Sequence, residues 1–186
     1  MVPLSSLWLP VLVSAVIVFL ASSFIHMVLP FHKKDLQKVP DEDAVQETFR
    51  RLGISPGDYA VPCAGSSQGM KDPAFVERMA KGPVVFMTVI AGGHSFMGTS
   101  LALWFFYCLV VSVFGGYIGG RALGPGAQYL DVFRFVGTVA FACYAMSLPQ
   151  ASIWYKRNWG TTIRSMFDGL VYGTLTAGTF GWLWPR

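Results

Sequence analysis

Residues 167–186 read FDGLVYGTLTAGTFGWLWPR, a stretch with the length and apolar content of a helix that crosses a membrane. Every fourth position in it is small, as in the GxxxG pattern of packed transmembrane helices: Gly169, Gly173, Ala177 and Gly181. Residues four apart lie on one face of an α-helix, so these positions predict a groove about three turns long. Because close backbone approach is a main source of attraction between helices in lipid, the groove predicts tight contact with another helix.

The composition of the whole chain is typical of a membrane protein. Of its 186 residues, 53% are hydrophobic and 13% are charged, and the mean hydropathy is +0.49, whereas soluble domains are usually about one quarter charged. The apolar residues form four blocks, which predict spans at about residues 7–29, 99–123, 132–155 and 166–184. The predicted fold is therefore all-α, with one membrane domain over residues 1–186 and a bundle of four transmembrane helices. A long structured loop over residues 30–98 joins the first two spans.

The second predicted span carries two further pairs of small residues, within the sequence GGYIGG. Gly115 is four residues before Gly119, and Gly116 is four residues before Gly120. We therefore predict that the small-residue stripe of the last helix meets the second span. Two interpretations remain open, because such faces serve both packing inside one bundle and docking of a partner subunit.

The long loop contains the signals of two short helices. In VPDEDAVQETFRRLGI, Asp41 or Asp43 is a suitable N-cap and Gly53 a suitable C-terminal stop. In KDPAFVERMAKG, Asp72 is followed by a proline at the first helical position, and Gly82 ends the pattern. The loop is therefore predicted to be folded, with two helices of its own.

A third element of the loop has the composition of a β-strand. The run PVVFMTVIAGG from Pro83 is too short to cross a membrane and is rich in valine, isoleucine, threonine and phenylalanine. We predict that it pairs with the extended stretch DYAVP from Asp58 as a small β-hairpin.

The distribution of basic residues predicts the orientation in the membrane. Eight basic residues in the loop 30–98, and three more between the last two predicted spans, fall on one side. The other side carries three: Arg121, Arg134 and Arg186. By the positive-inside rule the long loop is cytoplasmic and both termini are periplasmic, in a bacterial inner membrane. The long loop also carries eight acidic residues and no basic stripe, so nucleic-acid binding is not predicted.

His26 is the one strongly polar side chain of the first predicted span. An imidazole in an apolar span is costly without a role, so axial ligation of haem or of a chlorophyll-type pigment is one interpretation. A hydrogen bond to a neighbouring helix near the cytoplasmic end is the other. His32 and His94 show no ligand spacing to His26, and the three cysteines form no CxxC pair. No metal site and no resident cofactor are therefore predicted.

The start of the second span is a candidate anion site. The stretch GGHSFMGTS resembles a phosphate-binding P-loop, but it lacks the lysine and opens a membrane helix, so nucleotide binding is not predicted. The first amides of the helix, at Gly98, Thr99 and Ser100, are a candidate site for the phosphate of a membrane lipid, because helix N-termini attract anions.

Ionisable residues are scarce in the predicted spans. Asp131 with Arg134, and Arg164 with Asp168, are three and four residues apart, which predicts local ion pairs on single helices near the membrane surfaces. The sequence contains no HExxH motif, and no Ser, His and Asp set or carboxylate pair at a plausible depth. An enzymatic function is therefore not predicted.

Two stretches carry a resemblance to a known group of proteins. SIWYKRNWGTTIRSMFDGLVYGTLTAGTFGWLW, together with SSFIHMVLPFHKKDLQKVPDEDAV, resembles a family of uncharacterised bacterial four-span membrane proteins, and the resemblance covers nearly the whole chain. It implies the four-span topology and brings no activity, substrate or catalytic residue.

From these features we expect a non-enzymatic accessory or scaffolding subunit in contact with membrane lipids. Its small-residue faces would pack against a larger respiratory or photosynthetic complex. The alternative is a small transporter, channel or lipid-handling protein built around Pro149, Gln150 and Asp168, where a proline kink and polar side chains interrupt apolar helices.

Overall fold

The computed structural model of the protein describes residues 1–93 and 96–186. It consists of two compact units, Met1–Leu36 with Phe96–Arg186, and Gln37–Ser95. Within the described residues the chain forms, in order, α1 (Trp8–Met27), α2 (Glu42–Arg51), β1 (Gly57–Val61), α3 (Pro73–Lys81), β2 (Val85–Val89), α4 (Met97–Ala122), α5 (Tyr129–Phe141), α6 (Pro149–Tyr155) and α7 (Trp159–Trp182). Short 3-10 turns cover Leu4–Leu7, Pro30–His32 and Gly69–Lys71, and a π-helical segment covers Ala142–Met146.

Three helical stretches of the first unit are long and apolar enough to cross a membrane. They are Leu4–Met27, Met97–Ala122 and Tyr129–Tyr155. Their bounds lie within a few residues of the first three predicted spans, because long apolar runs are the strongest signal that a sequence carries. The chain is thus a mostly helical protein with three candidate membrane spans.

The fourth predicted span, residues 166–184, corresponds to α7, but α7 begins seven residues earlier, at Trp159. Asn158 is the N-cap of this helix, because its side chain accepts hydrogen bonds from the amides of Gly160 and Thr161. The first turns of α7 therefore include polar residues that were predicted to lie in a loop. The helix is not among the three that are apolar enough to span a membrane.

The third span is irregular near its middle. The π-helical segment follows α5 directly, and Pro149 then begins α6. Proline has no backbone N–H to donate, so the regular hydrogen-bond ladder cannot continue through it. After α6, Lys156 has a left-handed backbone conformation with φ of 57°, which allows the chain to turn at once into α7.

The helices of the first unit pack around an apolar core. α7 lies along α5 and also contacts α1, while α4 contacts both α1 and α5. Side chains of the core fall into two clusters, one around Val136 and Phe180 and the other around Val18, Tyr144 and Tyr172. Large apolar side chains are also exposed on the outside of α1 and α4, as a surface in contact with lipid requires; examples are Leu20, Phe24, Leu103, Phe106 and Phe114.

The end of α7 is fastened to the turn between α4 and α5. Trp184 Nε1 donates a hydrogen bond of 3.0 Å to the carbonyl of Gly124. In the opposite direction, the amide of Gly126 donates to the carbonyl of Pro185 over 2.9 Å. These two bonds, here called the C-terminal clasp, connect the last residues of the chain to a turn about 60 positions earlier.

The second unit confirms the predicted local elements. Asp41 accepts a hydrogen bond from the amide of Ala44 at the start of α2, and Asp72 accepts one from Ala74 at the start of α3. The strands β1 and β2 pair in antiparallel register, with Tyr59 opposite Met87. The predicted pairing of the two stretches is therefore correct, although α3 lies between the strands in the chain and they do not form a tight hairpin.

Candidate functional site

The small-residue stripe of α7 packs against the third predicted span. A Cβ atom built on Gly169 would lie 2.8 Å from the Cβ of Ala145, and one on Gly173 would lie 3.1 Å from the backbone nitrogen of Phe141. Ala177 is fully buried, with its Cβ 2.9 Å from a Cβ built on Gly137. The last member of the stripe, Gly181, lies against Tyr129, whose ring would be 2.7 Å from an added Cβ.

The expected contact of this stripe with the second span is wrong. The partner is α5 with the π-helical segment, because these elements also present small residues, namely Gly137 and Ala145, at the points of closest approach. These residues do not form a glycine repeat in the sequence, so they gave no signal comparable to GGYIGG.

The glycines of α4 pack against larger side chains and not against the small residues of another helix. A Cβ on Gly115 or Gly119 would lie 3.0 or 2.9 Å from the Val136 side chain, and one on Gly116 would lie 3.1 Å from Phe180. At Gly120 the close neighbour is backbone, because the carbonyl oxygen of Val2 would be 2.5 Å away. The small residues of α4 thus serve packing within this chain.

On its outer side, the seam between α5 and α7 is an open groove of about 310 Å³. Its small members are Gly137, Gly173 and Ala177. Larger side chains and two threonines complete its lining: Phe133, Arg134, Thr138, Phe141, Leu170 and Thr174. The residues that hold α5 and α7 together on one side therefore also leave a recess on the other, here called the α5/α7 groove.

A cluster of polar side chains lies where α1 ends. The 3-10 turn Pro30–His32 follows α1 closely and places the ring of His32 beside that of His26, with the ring centroids 4.3 Å apart. Asp168 of α7 faces both rings. Its Oδ2 lies 2.8 Å from His32 Nε2 and 3.8 Å from His26 Nε2.

Burial differs strongly across this cluster. The side chain of Asp168 is 5% exposed and that of His32 is 11% exposed, whereas His26 is half exposed. His32 Nε2 is shielded from solvent and faces the Asp168 carboxylate oxygen at 2.8 Å. The ring nitrogen and the carboxylate are therefore in close contact at a point from which water is largely excluded.

A second carboxylate holds the other nitrogen of His32. Asp35 Oδ2 lies 2.6 Å from His32 Nδ1, and Arg164 Nε donates to Asp35 Oδ1 over 2.9 Å. Burial alone would raise the pKa of Asp35, but the hydrogen bonds from His32 and Arg164 outweigh it and hold the pKa below its usual value. Asp35 is therefore an ionised acceptor for both neighbours.

These contacts correct one predicted ion pair and confirm another. Among the described residues, Arg164 pairs with Asp35, while Asp168 lies beside the two histidines, so the expected pair of Arg164 with Asp168 is wrong. The reason is that the chain after α1 folds back and brings Asp35 to the arginine. Asp131 and Arg134 do form the predicted local pair, at 3.7 Å.

The candidate lipid-phosphate residues lie in the first turn of α4. Gly98, Thr99 and Ser100 are exposed there, as contact with a headgroup requires. The P-loop-like stretch also includes His94 and Ser95, which lie outside the described residues. Phosphate binding at this turn stays a prediction.

Sequence reasoning missed the cluster because its members are far apart in the chain. The spacing between His26 and His32 matches no common ligand pattern, and Asp168 follows them by more than 130 residues. One signal was present, since Asp168 is the single acidic residue of the fourth predicted span.

Comparison of the chain with protein-family models, curated proteins and solved structures finds no match.

Proposed function

We propose that the protein is a non-enzymatic accessory or scaffolding subunit that packs against a larger respiratory or photosynthetic complex in a bacterial inner membrane. In this proposal α7 is a fourth span, both termini are periplasmic and the long loop is cytoplasmic. The three apolar helices support residence in a membrane, and the basic residues around the predicted loops support the orientation.

The observation that carries the proposal is the α5/α7 groove. Gly137, Gly173 and Ala177 form the floor of the groove, where they pack α5 against α7 and add little bulk on the outer side, so another helix can come close to the seam. The occupant that we propose is a transmembrane helix of a partner subunit.

Two hydroxyl groups favour a protein helix over a lipid chain as this occupant. Thr138 and Thr174 line the groove and are exposed. The Thr174 hydroxyl donates to the carbonyl of Val171 within α7 and can still accept a hydrogen bond, and either threonine can bond to polar groups of a facing helix, whereas an acyl chain offers no such partner. The groove therefore combines close approach with polar contact.

The test fills the groove without disturbing the bundle. We expect the double variant Thr138→Phe and Thr174→Phe to lose at least tenfold in co-migration with a large complex, when native membranes are solubilised in mild detergent and separated by size. Both residues are exposed, so the helices can still pack. Substitutions at Gly173 would be uninformative here, because that residue packs against the backbone of Phe141.

The matched control is Val113→Phe, on an exposed face of α4 outside the groove. It should co-migrate like the wild type. Equal co-migration of the groove variant and the control would refute the docking role. A groove that holds lipid instead would give loss of bound lipid in the variant with unchanged co-migration.

One observation favours the alternative of a small transporter, channel or lipid-handling protein. Asp168 is a buried carboxylate within a predicted span, and such groups often lie on transport pathways. The same separation distinguishes the two functions, since this alternative predicts a wild-type chain that runs alone as a small oligomer.

A further inference from the structure

We propose that His26, His32 and Asp168 bind a divalent transition-metal ion, with Zn²⁺ as the best match to the ligand set. Within residues 1–93 and 96–186 they are the one group of three potential ligands whose donor atoms all lie within 4.8 Å of one another. The inference is independent of the groove and of the proposed docking role.

The type of donor atom fits such an ion. Two imidazole nitrogens and one carboxylate oxygen are common ligands of zinc and of iron, whereas magnesium and calcium prefer oxygen alone.

The spacing of the donor atoms also fits a shared ion. Two ligands that are each about 2.0 to 2.1 Å from a tetrahedral zinc ion lie about 3.3 Å apart. The observed distances from Asp168 Oδ2, 2.8 Å to His32 Nε2 and 3.8 Å to His26 Nε2, lie on either side of this value. All three donor atoms lie within 4.8 Å of one another, so small side-chain rotations that draw them together would complete the site.

The surroundings of His32 Nε2 and Asp168 also suit a bound cation. His32 Nε2 is shielded from water and lies 2.8 Å from Asp168 Oδ2, so two donor atoms meet at a protected point. A cation held between an imidazole nitrogen and a carboxylate at such a point is screened little by solvent. A direct hydrogen bond between the two side chains is the alternative, and retention of Zn²⁺ separates the two.

Asp35 and Arg164 supply the outer contacts that metal-binding histidines usually have. A ligating histidine typically donates its second ring N–H to a carboxylate, which fixes the ring orientation and leaves the other nitrogen free for the metal. His32 Nδ1 makes this contact with Asp35, and Arg164 in turn holds Asp35. Asp35 is thus a positioning residue for His32.

The exposure of His26 indicates what kind of site this is. Three protein ligands leave one position of a tetrahedral ion vacant for water or another molecule. His26 is half exposed, while His32 is 11% exposed and Asp168 is 5% exposed, so the vacant position would face the side of His26. We therefore expect an ion that exchanges with solution.

The experiment measures binding of Zn²⁺ to the full chain in detergent. Protein with an affinity tag other than polyhistidine is stripped with a chelator, loaded with Zn²⁺ and freed of excess metal by gel filtration. Metal analysis should find about one Zn²⁺ per chain, and Co²⁺ in its place should give the visible absorption of a low-symmetry, nitrogen- and oxygen-ligated ion. Excess Mg²⁺ should not displace either.

Variants separate this site from adventitious binding. His26→Gln removes the half-exposed ligand and should weaken Zn²⁺ binding at least tenfold while the fold persists. Asp35→Asn should weaken it by about tenfold to a hundredfold, the usual range for outer contacts of a metal ligand. Asp168→Asn should abolish it, and Asp131→Asn, at an exposed aspartate, should leave it unchanged.

Two results would overturn the inference. One is a wild-type chain that retains less than one tenth of an equivalent of Zn²⁺. The other is equal retention by the wild type and by His26→Gln, which would mean that any bound metal is held elsewhere. Because His26 is half exposed, this second comparison stays informative even if Asp168→Asn fails to fold.

Discussion

The two halves of α7 are attached to the rest of the bundle by different interactions. The first half, up to Asp168, uses polar contacts: Arg164 binds Asp35, Asp168 faces the two histidines, and the hydroxyls of Thr162 and Ser152 lie 2.7 Å apart. The second half, from Gly169 onward, uses the small-residue stripe, which brings its backbone against α5 and the π-helical segment.

The difference shows two ways to specify where a helix packs when water is absent. Polar pairs specify a position by the cost of leaving a buried donor or acceptor without a partner. Small residues specify it by shape, since a single added methyl group meets backbone that cannot move away. Loss of a polar group should therefore destabilise the protein most in the first half of α7, and an increase in side-chain size should do so most in the second half.

The largest effect is expected from Asp35→Ala. It leaves Arg164 partly buried without its carboxylate and His32 without its Nδ1 partner, so the free energy of unfolding should fall by about 3 kcal/mol. Unfolding by added SDS in mixed micelles, with a chelator present to exclude any metal contribution, measures this value.

The control for this variant is Asp131→Ala, which removes a local pair whose side chains are largely exposed. Its effect should stay below about 0.5 kcal/mol. Similar losses in the two variants would show that the first half of α7 does not depend on its buried charges.

A smaller effect is expected from Gly173→Ala in the second half of the helix. The added Cβ would lie 3.1 to 3.2 Å from backbone and side-chain atoms of Phe141, so one of the helices must shift, at a cost of about 2 kcal/mol in the same unfolding assay. Gly178→Ala is the matched control on the same helix. Its Cβ meets the Tyr129 hydroxyl at 3.5 Å, an ordinary contact, so no loss of stability is expected.

The smallest effect is expected from Thr162→Val, which keeps the shape of the side chain but leaves the buried Ser152 hydroxyl without its partner. The free energy of unfolding should fall by about 1 kcal/mol, as for other hydrogen bonds between membrane helices. Thr174→Val changes an exposed hydroxyl that bonds within its own helix and should cost less. A larger loss at Thr174 than at Thr162 would contradict the assignment of polar contacts to the first half.

Much of the fold could be predicted from the sequence, because its main signals are local. Apolar runs gave the first three spans to within a few residues, and Asp41 and Asp72 marked the helices of the long loop. The early start of α7 was missed, because capping by Asn158 is a weaker signal than the polar residues that follow it.

The candidate sites were harder to predict because they depend on how helices face each other. The stripe on α7 was visible, but its partner was not, since Gly137 and Ala145 lie outside any repeat. Arg164 and Asp168 are four residues apart on one helix, and this spacing favoured an ion pair between them. The structure shows that Arg164 pairs with Asp35 and that Asp168 lies beside the two histidines. Hydrophobic periodicity shows which face of a helix is buried but not which residues of another helix it contacts.

The C-terminal clasp affects how the protein unfolds when it is pulled from its last residues. Helix ends usually fray first, because their last groups have few partners. Here tension applied at Arg186 must first break the bonds of Trp184 with Gly124 and of Pro185 with Gly126. Extraction by a pulling machine, such as a membrane protease, would therefore begin with an abrupt step and not with gradual unwinding of the last helix.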